Sequence, residues 1–110
     1  MEMNNAVTSL SALAQESRLE AFRLLVRAGP EGLPSGDVAR ALNVPANTVS
    51  THLSILTRAG LVSSRRDGRH VIYQANLGGI RKLIDYLLAD CCQGDPELCG
   101  SLLEQLTPHC

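Results

Sequence analysis

Between Pro45 and Gly60 the chain reads PANTVSTHLSILTRAG, and its apolar residues fall at helical spacing: Val49, Leu53 and Leu56, flanked by Ile55 and Ala59. Asn47, Thr48, Ser50, Thr51, Ser54, Thr57 and Arg58 form the other side, a face of short hydrogen-bonding groups with a single charge. Such a face allows close approach to a flat hydrogen-bonding surface, as base edges in a major groove require. Three amphipathic segments precede it. Val7, Leu10 and Leu13 make the apolar side of a first helix over about 5–15, too short to stand without a surface to lie on. After a break near Glu16–Ser17, SRLEAFRLLVRAG directs Leu19, Phe22, Leu25 and Val26 inward and Arg18, Arg23 and Arg27 outward. Gly29–Pro30 ends that helix, and GPEGLP reads as a loop. Ser35 or its neighbour is expected to cap a third helix whose apolar side is Val38, Ala39, Ala41 and Leu42. Asn43 stands where a left-handed C-cap belongs, and Pro45 suits the first turn of the next helix. Two helices joined by a turn of about three residues, the second with a polar face, are a helix-turn-helix arrangement.

Beyond Gly60 the period changes to two. LVSSRR and RHVIYQAN are strand-like runs joined by Asp67–Gly68, a short-range hairpin signal, with Arg65, Arg66, Arg69 and His70 crowding the tip. A basic hairpin directly behind a helix-turn-helix is the wing of a winged helix, reaching phosphates or a minor groove. A fifth helix, LGGIRKLIDYLLADCC, carries Ile80, Leu83, Ile84, Leu87, Leu88 and Cys91 on one broad stripe. Gln93–Gly94 breaks it, and Asp95–Pro96 opens a short last helix, PELCGSLLEQL. The first and fifth helices, about 5–15 and 77–92, hold more aliphatic surface than a 110-residue monomer core uses, and the excess reads as a dimer seam. The expected fold is therefore mainly α with a β-hairpin wing. It is a single winged helix-turn-helix domain over 1–110, with five main helices, a short C-terminal helix, and a homodimeric assembly.

Composition sharpens this in two ways. With 45% hydrophobic residues but one Phe, two Tyr and no Trp, the core must be aliphatic and helical. MEMNNAVTSL has neither the basic start nor the apolar run of a secretory signal, and no segment approaches the ~18 apolar residues of a membrane span. A cytoplasmic location is expected, where thiols stay reduced and four cysteines serve as ligands or sensors rather than staples. The net charge of −1 hides a division. From Pro45 to Lys82, six cations face Asp67 alone, a balance of +5; from Leu83 to Cys110 there are five acids and no cation, a balance of −5. A polyanion belongs on the basic block and not on the tail.

VPANTVSTHLSILTRAGLV, preceded by DVARALN and followed by RRDGRHVIYQAN, resembles the ArsR/SmtB family of bacterial metal-sensing repressors over roughly residues 10–90. The resemblance implies a dimeric winged helix that binds a palindromic operator and lets go when a metal or metalloid binds. It places base-reading residues at Ala46, Asn47, Ser50 and Thr51, with Thr48 and Arg58 completing the DNA-facing set and Arg65, Arg66 and Arg69 on phosphates. His52, where the family has His or Gln, reads as a packing or phosphate-side residue rather than a metal ligand. The family's arsenic site on the third helix is absent, since Pro34, Gly36 and Ala39 stand at the matching positions. The zinc site of the fifth helix is unsupported too, because that helix has Asp85 and Asp90 but no His.

One donor set is left, in CCQGDPELC. Cys91 continues the apolar stripe and Cys92 lies about 100° further round the last turn. The break that follows lets Cys99 return over them, near a helix start where the dipole favours thiolate. Three soft thiolates with no His or carboxylate placed to complete a tetrahedron suit As(III) or Sb(III), whose lone pair occupies the fourth direction; Cd(II), Pb(II) and Hg(II) are alternatives. Arsenic-responsive members of the family resemble this chain in a Cys-Cys pair at the end of the fifth helix with a third cysteine shortly after. A redox or persulfide switch through Cys91–Cys99 or Cys92–Cys99, and a four-sulfur zinc site with Cys110, compete with this reading, as does Cys91 as plain core. Enzymatic readings fit poorly. No cysteine is followed at loop distance by Arg, as a thiol-based arsenate reductase needs, and a methyltransferase needs a glycine-rich nucleotide fold and far more chain.

Overall fold

In the computed structural model, residues 1–89 are described; the end of the expected fifth helix, the short last helix and all four cysteines lie outside the described residues. Helices α1 (Met3–Leu13) and α2 (Glu16–Ala28) lead through a 3₁₀ turn (Gly29–Glu31) to a two-residue strand β1 (Leu33–Pro34). Then come α3 (Ser35–Leu42), α4 (Ala46–Arg58), the hairpin β2 (Val62–Asp67) and β3 (His70–Ala75), and α5 (Leu77–Leu88). The strands form one antiparallel sheet in the order β1-β3-β2, a wing on a mainly helical body.

The core is built around α4. Val49, Leu53 and Leu56, spaced to fall on one side of that helix, meet Leu25 of α2, Val38 of α3 and Leu61 beyond the helix end, and all six are essentially inaccessible. Burying a branched aliphatic side chain fully contributes about 1.5–3 kcal/mol, so this ring of leucines and valines fixes α4 against two other helices. The turn between α3 and α4 follows from Asn43, which takes the left-handed conformation at φ 54, ψ 48. Val44 then donates its N–H to the Ala39 carbonyl at 3.1 Å. Pro45 stands one residue earlier than expected, as the extended residue before α4, and its carbonyl accepts from the Val49 N–H at 3.0 Å. Likewise Ser35 is the first helical residue of α3 rather than its cap; Pro34 precedes it in extended conformation with no side-chain cap.

Five further expectations are corrected. On α1 the buried positions are Ala6, Ser9 and Ala12, while Val7 and Leu10 of the expected apolar side are exposed, at 55% and 43%. Small residues let α1 lie close against the body, and the larger ones are left facing out. The helix also ends at Leu13 rather than near 15, because Arg18 turns back to its end, with Nε donating to the Ala12 carbonyl at 2.7 Å. On α2, Ala21, Phe22 and Leu25 face the core and Leu19 and Val26 do not. The hairpin turn lies one residue later than Asp67–Gly68. Asp67 is the last ladder residue, paired with His70, and Gly68–Arg69 are the central pair. Gly68 at φ 63 supplies the positive φ that a two-residue hairpin with glycine first requires. The last two residues of GPEGLP form β1, pairing Leu33 with Tyr73 and Pro34 with Ile72. Among the described residues, no helix is long and apolar enough to cross a membrane.

Candidate nucleic-acid interface

With Val49, Leu53 and Leu56 turned inward, α4 presents its other side to solvent. Ala46, Asn47, Ser50 and Thr51 are exposed at its start, and Thr48 is half-buried. Asn47 Oδ1 accepts from the Thr48 N–H at 3.0 Å, and Thr51 Oγ1 donates to the Asn47 carbonyl at 3.2 Å. The carboxamide NH₂ of Asn47 is thus presented outward with its oxygen already engaged. Asn47, Thr51, Ser54 and Arg58 recur at i, i+4, i+7 and i+11, a single line along the helix. Arg58 closes the line and donates to Ser54 Oγ at 3.1 Å. α4 carries no acid anywhere, so nothing on this face repels a polyanion.

The three arginines of the wing fall into two groups. Arg66, opposite Val71, and Arg69, in the turn, are exposed, and neither side chain makes a hydrogen bond or ion pair among the described residues. Arg65 is turned back onto the body. Its Nη1 donates to Gln74 Oε1 at 2.7 Å and to the Pro30 carbonyl at 3.2 Å, and its Nη2 donates to the Glu31 carbonyl at 2.8 Å. These bonds tie β2 to β3 and to the 3₁₀ turn after α2.

His52 faces away from the Asn47–Arg58 line. Its ring is half-buried and its Nδ1 is buried with no hydrogen-bond partner. Burial, and secondarily the positive charge of Arg18, push its pKa below the ordinary 6.5. A ring held neutral against α2 is a packing residue.

The far end of α4 is gripped by both outer helices, a junction that sequence reasoning missed. Ser9 Oγ of α1 donates to the Ala59 carbonyl at 3.3 Å. Asn76, just before α5, donates its side-chain N–H to the Gly60 carbonyl and its backbone N–H to the Leu61 carbonyl, each at 2.9 Å. Gly79 packs so tightly on Gly60 that a Cβ there would collide with the Gly60 carbonyl oxygen. The available signals were Ser9 midway between Ala6 and Ala12, and Asn76 just ahead of Gly78–Gly79.

Among the described residues no three His, Cys, Asp or Glu side chains are placed to hold a metal ion. Cys91, Cys92 and Cys99, the expected ligands, lie outside the described residues.

Residues 13–65 match a family described as a helix-turn-helix domain. The putative arsenical resistance operon repressor ArsR of Halobacterium salinarum is 41% identical over 75 residues, 68% of this chain; the match spans only 57% of that relative. The transcriptional activator HlyU of Vibrio cholerae is 31% identical over 97 residues, covering 86% of this chain and 87% of HlyU. Among solved structures, the solution structure of the homodimeric winged helix-turn-helix DNA-binding domain of Mb0332 from Mycobacterium bovis, described as a possible ArsR-family transcriptional regulator, matches with a TM-score of 0.66. The identity is 26%, over 80% of this chain and 81% of that one. The winged helix-turn-helix architecture expected from the hydrophobic pattern is the one that this neighbour is described as having.

Proposed function

The chain belongs to the ArsR family of winged-helix transcriptional regulators, DNA-binding proteins rather than enzymes, and from that premise we propose a homodimeric repressor that leaves a palindromic operator when As(III) or Sb(III) is held by the thiolates of Cys91, Cys92 and Cys99. The observation that carries the DNA half is the acid-free line of short polar groups on α4, closed by Arg58, set beside a wing whose Arg66 and Arg69 are unengaged among the described residues. In this reading Ala46, Asn47, Ser50 and Thr51 meet base edges, with Thr48 at the helix start and Arg58 at its end, while Arg66 and Arg69 contact phosphates. Arg65 holds the wing in place. Residues 1–110 act as one domain that pairs through α1 and α5. The exposed Val7 and Leu10 of α1 and Leu87 of α5 support that seam. Two α4 helices about one DNA turn apart, ~34–36 Å, then match the half-sites of a palindrome.

For the signal, support comes from three soft donors in CCQGDPELC and from a relative named as an arsenical resistance repressor. The thiolates must lose their protons to bind such an ion, and an ion shared by three of them constrains the chain just beyond α5. This chain's own residues supply the route onward. Asn76 and Gly79 join α5 to the end of α4, and Ser9 joins α1 to the same place, so a shift between the outer helices displaces the recognition helix. A coupling of about 1–3 kcal/mol lowers DNA affinity five- to 150-fold, and DNA weakens metalloid binding equally.

The test is an As(III) titration of the reduced protein on a labelled palindromic operator, beside Cys99→Ser. Release is expected from the parent and not from the variant; unchanged release from Cys99→Ser removes Cys99 from the site. Release by Cd(II), Pb(II) or Zn(II) but not As(III) assigns a different ion. Release by an oxidant or persulfide donor alone turns the reading to thiol oxidation.

A further inference from the structure

A solvent-open cavity of about 260 Å³ lies where α1, the end of α4 and the first turns of α5 meet. Asn5 and Thr8 of α1, Arg58 of α4, and Asn76 and Lys82 around the start of α5 contribute to its wall. Among the described residues, Arg58 and Lys82 are the charged side chains that line it and no carboxylate does. The nearest acid further along α5, Asp85, is three residues beyond Lys82 and does not line the cavity. Arg58 is steadied by one bond to Ser54, which uses one of the five donors of its guanidinium. Lys82 is exposed and forms no ion pair among the described residues. The Asn76 side-chain N–H is committed to the Gly60 carbonyl and the Thr8 hydroxyl donates to the Asn4 carbonyl at 2.9 Å, whereas Asn5 lines the space and brings a carboxamide.

We propose that this cavity seats a phosphate-type oxyanion, held by Arg58 and Lys82 and hydrogen-bonded by Asn5. Two positive side chains with no counter-charge among the described lining residues, in a space that the Asn5 carboxamide also lines, match a tetrahedral oxyanion better than an apolar ligand or a cation. The oxyanion has two sources. One is a free ion. The other is a backbone phosphate of the operator, because Arg58 ends the Asn47–Thr51–Ser54–Arg58 line and a duplex lying along that line reaches the cavity rim. The second source rests on the DNA-binding reading above; the first does not. In either case the site includes Ala59 and Gly60, so its occupant spans the junction that links the outer helices to α4.

Both sources are tested on the reduced full-length protein. In the first arm, ¹⁵N-labelled protein is titrated with sulfate and with inorganic phosphate against chloride at matched ionic strength. Saturable shifts at Gly60, Asn76 and Gly79 that vanish in Lys82→Gln and Arg58→Gln assign a free oxyanion. In the second arm, operator affinity is measured against salt. Loss of one phosphate contact in Lys82→Gln reduces the log–log slope by about 0.9. That is a three- to fourfold smaller loss of affinity over a fourfold rise in salt, and it assigns an operator phosphate. Arg81→Gln, exposed and outside the cavity wall, is expected to change neither readout. No saturation in the first arm and an unchanged slope in the second overturn the proposal. Should the parent fail to bind any duplex, the repressor reading falls while the anion titration still decides the cavity.

Discussion

Arg65 and Arg69 sit four residues apart in one basic hairpin, yet the structure gives them different work. Arg65 spends its guanidinium on Gln74, Pro30 and Glu31, and Arg69 points into solvent from the turn. Arg69→Ala is therefore expected to weaken all duplexes alike and to reduce the salt slope by about 0.9. Arg65→Ala is expected to weaken binding by loosening the wing while leaving the slope as it was; an equal drop in slope for both variants would make Arg65 a phosphate contact after all. His52 gives a second prediction at this scale. Above its ordinary pKa of 6.5 the ring is neutral whether the chain is folded or not. Below it, the unfolded chain takes up a proton that the half-buried ring resists, so stability falls with acid. Denaturant midpoints of the parent are expected to drop between about pH 7.5 and about pH 5.5 more steeply than those of His52→Gln. Parallel slopes would place the acid sensitivity elsewhere.

At the scale of elements, the decisive feature is how the outer helices hold α4. The polar line of α4 was legible because its apolar period and short hydrogen-bonding groups are both local properties. The grip on its far end was not, since Ser9, Asn76 and Gly79 lie 50, 16 and 19 residues from the carbonyls they meet. Gly79→Ala tests the grip. A methyl group there meets the Gly60 backbone, which cannot give way without moving α5 off α4, and a lowered melting temperature with weaker operator binding is expected. Gly36→Ala, in the first turn of α3, meets only Arg40 Nη1 at 3.7 Å. It is expected to raise stability by ~0.4–1 kcal/mol, by restricting the unfolded chain. If thermal melts show the two alanines to be equivalent, the backbone contact at Gly60 is not a constraint.

For the whole molecule, the large exposed side chains on α1 and α5 matter more than the buried ones. Val7 and Leu87 are 55% and 52% exposed on the two helices read as the seam, whereas Leu19, at 43%, lies on α2. Val7→Glu and Leu87→Glu are each expected to convert a dimer to a monomer in sedimentation, and Leu19→Glu to leave the dimer intact. Dissociation by all three would mean that exposed hydrophobic surface in general, not a particular seam, holds the subunits. A monomeric variant is also expected to lose the palindrome, because one α4 reads one half-site.

What the sequence determined alone was whatever depends on neighbours along the chain. The helical period of Val49, Leu53 and Leu56, the left-handed Asn43, the alternation that forms the wing and the division of charge are all local, and local chemistry decides them. The tertiary structure decided which of two apolar faces a short helix buries and which of three arginines is tied back to the body. On α1 the close approach of neighbouring backbones selected Ala6, Ser9 and Ala12 over Val7 and Leu10, and Arg65 was drawn to carbonyls more than 30 residues away. Periodicity ranks residues by hydrophobicity; packing ranks them by fit, and the two agree only where the space is large enough for a leucine.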